Sequence, residues 1–130
     1  MPNYKLKEIE AVQGIQKFYK LEIDGVCEFD KFWEEMEEEG KYSSELDTML
    51  ALMDYIAKGN SLPKEKFREL KGRPSSDLIK EYEIKTKHLR VYMFHDSGTG
   101  KIIVCGGKKG KQEKDIKKLR KTKNKYLDQK

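Results

Sequence analysis

The chain has 130 residues, of which 36% are hydrophobic and 39% charged, enough for one compact core beneath a densely ionised surface. No apolar run approaches the roughly 20 residues needed to cross a bilayer, and the opening MPNYKLKEIE lacks the charged-then-apolar pattern of a secretion signal. A cytoplasmic protein with no membrane partner is therefore expected. Its net charge of +5 conceals a division, because residues 1–60 carry net −7 and residues 61–130 net +12. A basic half suits a polyanion such as nucleic acid, whereas an acidic half suits solvent or a basic protein; the plainer alternative is a set of solvated lysine-rich faces.

In chain order, Ile15 to Ile23 is rich in β-formers and stops at Asp24-Gly25, which predicts a first strand. Phe29, Phe32, Trp33 and Met36 then recur on one helical face, and Gly40 is placed to end that helix. Ser43 and Ser44 are candidate caps for a second helix, whose stripe runs through Leu46, Met49, Leu50, Met53, Ile56 and Ala57 to a stop at Gly59-Asn60. Two such helices form a hairpin that needs an apolar sheet beneath it. Trp33 and the methionines are expected to be core rather than contact residues. Residues 60–77 read as a linker with a short helical turn around Phe67 and Leu70.

Three strands follow. Leu78 to Lys87 alternates, with Ile79, Glu81, Glu83, Lys85 and Lys87 on its expected exposed side. Leu89 to His95 is apolar apart from Arg90 and reads as a central strand, and a turn at residues 95–100 leads into Lys101 to Cys105. The tail from Lys108 carries net +8 with a thin apolar stripe of Ile116, Leu119, Tyr126 and Leu127, which predicts a docked basic helix with a frayed end. The expected fold is thus α+β in one domain over 1–130: a small, mainly antiparallel sheet of an N-terminal and three C-terminal strands, packed on a helical hairpin.

Arg90 is the most informative residue, because an arginine in an apolar strand must be compensated. Either it pairs internally with Glu83 or Glu81, or it offers its donors to a phosphate. Lys85 and Lys87 on the adjacent strand and Lys108 and Lys109 after the last would complete a basic pocket. Such a cluster can stabilise the charge that develops when a ribose 2′-hydroxyl attacks the neighbouring phosphate, and a lysine can move the proton. Cys27 and Cys105 fit no metal spacing and are expected to be buried free thiols, and His88 and His95 match no ligand motif, so no cofactor or metal is implied. Gly106-Gly107 followed by KKGK lacks the GxxxxGK[ST] pattern of a nucleotide loop.

The order of FRELKG, YEIKTKHLRVYMF, a hairpin, GGKKGK and QEKDI over residues 64–120 resembles the RelE/HigB group of bacterial type II toxins, especially its phage-derived HigB-like branch. The resemblance implies a ribosome-dependent messenger RNA endoribonuclease that uses no metal and is neutralised by a cognate antitoxin, as a homodimer or a toxin–antitoxin hetero-oligomer. It implies catalytic roles for Arg90, Lys85 and Lys109, and RNA contacts for Lys87, His88, Lys108 and Lys111. Two departures stand out: residues 110–118 contain neither the Tyr nor the His common after the last cation, and Glu83 is acidic where some relatives are basic. The alternatives are a ParE-like toxin that binds DNA gyrase without cleaving anything, and an inactive interaction domain of the same fold.

Overall fold

The computed structural model describes residues 2–129. Its elements are β1 (Tyr4–Glu8), β2 (Phe18–Ile23), α1 (Glu28–Glu39), α2 (Ser43–Ala57), β3 (Phe67–Glu69), β4 (Glu81–Lys85), β5 (Leu89–Asp96), β6 (Gly100–Lys108) and α3 (Gln112–Asp128). The strands form one sheet in the order β1-β2-β6-β5-β4-β3. Every neighbouring pair is antiparallel except β2 with β6, which the helical hairpin and β3 to β5 separate in the chain. The α+β architecture expected from the sequence is present, with two more strands than anticipated. Among the described residues no helix is long and apolar enough to cross a membrane.

The sheet is covered on both faces. Helices α1 and α2 pack on one side against Phe18, Ile84, Leu89, Val91, Met93 and Ile103. Helix α3 lies on the other, with Leu119 and Tyr126 against Leu21, Tyr92, Phe94 and Ile102. Burial on both sides accounts for the continuous apolar run of β5, the central strand. Cys27 and Cys105 are buried free thiols, and burial pushes Cys105 up to about 12.

Three local expectations change. Phe67 to Glu69 forms an edge strand rather than a helical turn, because β4 offers backbone partners and Phe67 stacks on Tyr82 with ring centroids 5.0 Å apart. Strand β4 starts at Glu81, leaving Leu78 85% exposed. Its supposedly exposed side is instead covered, with Glu81 fully buried against Arg120 and Lys123 of α3 and Glu83 nearly so against Arg68 of β3. Neither serine caps α2: Tyr42 stands at the N-cap without a side-chain bond, and Ser44 lies inside the helix with its carbonyl accepting from Thr48 Oγ1. Gly40 does close α1, in the left-handed conformation at φ 75°, which favours glycine.

Strand β6 contains one residue more than β5 can pair. Tyr92 opposes Cys105 and Met93 opposes Ile103, so Val104 is the extra residue of a β-bulge. The bulge reverses the alternation beyond it. Gly106 therefore turns to the hairpin face, where an added Cβ would stand 2.5 Å from the Phe32 ring, and Gly107 to the α3 face, 2.0 Å from Asp115 Oδ2. Both glycines permit helices to approach this strand from opposite sides. They serve packing, in agreement with the absence of a nucleotide-loop pattern.

Helix α3 is fastened by buried charge. Lys123, 1% exposed, donates to Asp77 Oδ2 at 2.6 Å, Glu81 Oε2 at 2.9 Å and the Ile79 carbonyl at 2.8 Å. Arg120 Nε donates to Glu81 Oε1 at 2.9 Å, and its Nη2 to the Lys71 carbonyl at 2.7 Å. The helix thus docks through ions as well as its thin stripe, and it runs to Asp128 rather than fraying early. Burial tends to raise the Asp77 carboxyl, but the Lys123 bond and the Ile79 amide outweigh it and hold the group below its ordinary value. That contribution is present above the unfolded carboxylate pKa and lost as pH falls through the depressed folded one.

Lys123→Met should cost about 3 kcal/mol in urea unfolding, since it strands Glu81 and Asp77. Its stability should also fall less than the parent's between about pH 5 and pH 3, because the Asp77 linkage is weakened. An unchanged midpoint at neutral pH would show that the network contributes nothing net.

Candidate functional site

Arg90 lies on the α3 face of β5, directly opposite Lys85 on β4 and Gly107 on β6. The next row on that face runs Arg68, Glu83, Tyr92 and Cys105 across four strands. Period-two alternation therefore gathers three cations from β3, β4 and β5 on one side of the sheet, beside a buried carboxylate and a buried phenol.

Arg90 has neither of the ion pairs open to it from the sequence. Glu83 accepts from Arg68 Nε at 2.6 Å, and Glu81 is held by Arg120 and Lys123. The guanidinium is 7% exposed and its Nη1 donates to the carbonyls of Thr86 at 2.7 Å and Leu89 at 2.8 Å. These bonds tie it to the β4–β5 turn. Four atoms on this face, Glu83 Oε2, Arg90 Nε, Tyr92 OH and Asp115 Oδ2, are buried without hydrogen-bond partners. Burial first, then the charges of Glu83 and Asp115, push the Tyr92 phenol well above its usual range. Burial likewise raises the Asp115 carboxyl, against the pull of Lys118, Lys111 and Lys114.

Beside this row a groove of about 600 Å³ opens along the β3–β4 edge, lined by Lys64, Arg68, Lys71 and Lys85 together with Glu65 and Glu69. Lys85 is half-buried and Arg68 exposed, so they are the accessible cations, with Arg90 set beneath them. Arg68, Lys64 and Lys71 were not expected as site residues. The available signal was Glu83, a carboxylate on the same strand side as Glu81 and Lys85 that required a cation from a neighbouring strand.

The other expected residues divide. Lys87 is exposed in the β4–β5 turn, and Lys109 is exposed with its amide donating to the His88 carbonyl at 2.8 Å. Lys108 does not join Arg90. The Val104 bulge turns it to the hairpin face, where its ammonium meets Glu39 Oε1 at 2.9 Å and lies 5.6 Å from the Tyr42 ring centroid. The Glu39 bond raises its pKa. His88 also belongs to that side, its Nδ1 2.7 Å from Glu45 Oε2 and its backbone N–H donating to Glu45 Oε1 at 2.8 Å. Burial opposes the shift, but Thr86 and His88 together hold the Glu45 carboxyl below its usual range. Lys111 lines a cleft of 550 Å³ between α1 and α3 whose facing wall carries Glu28, Glu35, Glu38 and Glu39. The single basic pocket anticipated from the sequence is thus reduced to Arg90 and Lys85, with Arg68 added.

Among the described residues no group of three or more His, Cys, Asp or Glu side chains is placed to hold a metal ion. No family model, curated protein or solved structure matches the chain.

Tyr92→Phe removes a buried hydroxyl that has no partner, so thermal unfolding should show unchanged stability or a gain of up to about 1 kcal/mol. A loss greater than that would mean the hydroxyl is bonded within the fold.

Proposed function

We propose that this chain is a metal-independent endoribonuclease that cleaves messenger RNA on the ribosome, the toxin of a toxin–antitoxin pair. The observation that carries this reading is the alignment of Arg68, Lys85 and Arg90 on one sheet face beside a lysine-bordered groove. It agrees with the resemblance of residues 64–120 to RelE/HigB-like toxins. The acting chemistry is charge stabilisation. A ribose 2′-hydroxyl gives its proton to solvent as its oxygen attacks the adjacent phosphorus, the bond from phosphorus to the 5′-oxygen breaks, and the products are a 2′,3′-cyclic phosphate and a 5′-hydroxyl. Arg68 and Arg90 stabilise the negative charge gathered on the phosphoryl oxygens, and Lys85 delivers a proton to the departing oxygen. Lys64 and Lys71 hold the neighbouring phosphates by unspecific attraction. An antitoxin and the ribosome are the partners this reading requires, in the cytoplasm.

The reading makes Arg90 a fixed support as well as a donor. Its bonds to Thr86 and Leu89 hold the guanidinium in place before substrate arrives, which removes a cost of ordering at the moment of reaction.

Induction of the chain in bacteria should arrest growth and produce new messenger 5′ ends on translating ribosomes, ends that require phosphorylation before ligation. Arg90→Ala should lower cleavage by about 100-fold or more while retaining a cooperative thermal transition. Growth arrest with intact messenger would contradict the reading and favour a non-cleaving toxin. Ribosome binding should weaken steeply as salt rises from about 50 to 200 mM, because several lysines displace counterions; binding insensitive to salt would argue against a phosphate-directed face.

A further inference from the structure

At the end of the sheet remote from Arg90, and on the opposite face, the second residue of β6 is a lysine without an ion-pair partner among the described residues. Lys101 is 7% exposed and pairs in register with His95 on β5 and Phe18 on β2. Its ammonium donates to Gln16 Oε1 at 3.1 Å and stands 5.5 Å from the Tyr82 ring centroid. No carboxylate pairs with it among the described residues. Two other buried ions are paired, Lys123 with Glu81 and Asp77, and Glu83 with Arg68. A buried ammonium left with a neutral amide and an aromatic face is incompletely compensated. Beside it the Nδ1 of His95 is buried without a partner. Both groups line a pocket of 460 Å³ whose mouth holds the Ser97 and Thr99 turn and Ile15, an isoleucine that is almost wholly in solvent.

We propose that this pocket binds a small monocarboxylate with an apolar body, its carboxylate on Lys101 and His95 and its body against Tyr82 and Ile15. Of the two lysines that line the pocket, Lys17 is exposed and stands 4.0 Å from Glu8 Oε1, which leaves Lys101 as the one ammonium without a carboxylate. Burial and then the neighbouring Lys101 lower the His95 pKa, so the imidazole is neutral near pH 7 and offers a hydrogen bond rather than a second charge. Burial also lowers the Lys101 pKa, in keeping with a cation short of hydration. The charge count matches a monoanion better than a phosphate dianion, and the aromatic ring and isoleucine match a hydrocarbon body.

The chain contains two histidines, which supply an internal control. Benzoate titrated into the protein at pH 7 and constant ionic strength should shift the His95 ring signals in a histidine-resolved NMR spectrum and leave those of His88, fixed on Glu45, in place. It should also raise the melting temperature. Inorganic phosphate at the same ionic strength should do neither, and Lys101→Met should weaken the benzoate effect by about tenfold or more. Absence of a His95 shift, a shift shared equally by His88, or full benzoate binding by Lys101→Met would overturn the site. An equal response to phosphate would overturn its assignment to monocarboxylates. Should Lys101→Met fail to fold, the His95 and phosphate comparisons on the parent protein decide the matter alone.

Discussion

The sidedness of the molecule depends on the crowding of β6 between two helices. From Gly106 onward this strand runs with Phe32 of α1 pressed on one side and Asp115 of α3 on the other, and only residues without a Cβ fit both contacts. The bulge at Val104 sets which glycine meets which helix. A regular strand would put Gly106 under Asp115, Gly107 under Phe32 and Lys108 on the same face as Arg90. One inserted residue thus sends Lys108 to Glu39 and separates cations that lie close in sequence.

The acidic and basic halves of the chain meet within the fold. Glu28 and Glu39 of α1 pair with Lys118 of α3 and Lys108 of β6, so part of the apparent charge division is balanced along the α1–α3 cleft. On the other side of the sheet, α3 contributes Lys123 and Arg120 to the buried Glu81 of β4, and Lys123 also to the half-buried Asp77 of the preceding loop. These cations are structural, and the partnerships are costly to break because Glu81 would remain buried. The cations bordering the β3–β4 groove are the ones best placed to face a polyanion. Helix α3 therefore roofs part of the Arg90 face and limits access to the Lys85 side.

Much of this was legible in the sequence because it rests on periodicity. The apolar stripes of α1 and α2, the left-handed stop at Gly40, the central position of β5, the hairpin after His95 and the free thiols all follow from local patterns. Two short edge strands did not. Phe67 to Glu69 has three residues and acquires strand geometry only by pairing with β4, while Tyr4 to Glu8 carries Lys5, Lys7 and Glu8 outward and pairs with β2 alone. The bulge leaves no mark in a run as uniform as IIVCGG, so the face of Lys108 could not be counted from one end of the strand. Helix periodicity puts Lys123 on the face of Leu119 and Tyr126, but its residue type conceals the burial, since a lysine in a basic tail resembles its solvated neighbours. The Arg90 and Lys85 pairing was legible because both lie before the bulge, on strands joined by a short turn.

The proposed cleavage belongs to the face shared by Arg68, Lys85 and Arg90, not to the one where Lys108 and His88 are tied to glutamates. The most direct measurement is messenger cleavage on ribosomes by purified Lys85→Ala and Lys108→Ala variants, compared at equal folded concentration. Lys85→Ala should lose most of the cleavage and Lys108→Ala should keep it. Cleavage lost in Lys108→Ala and preserved in Lys85→Ala would contradict that placement.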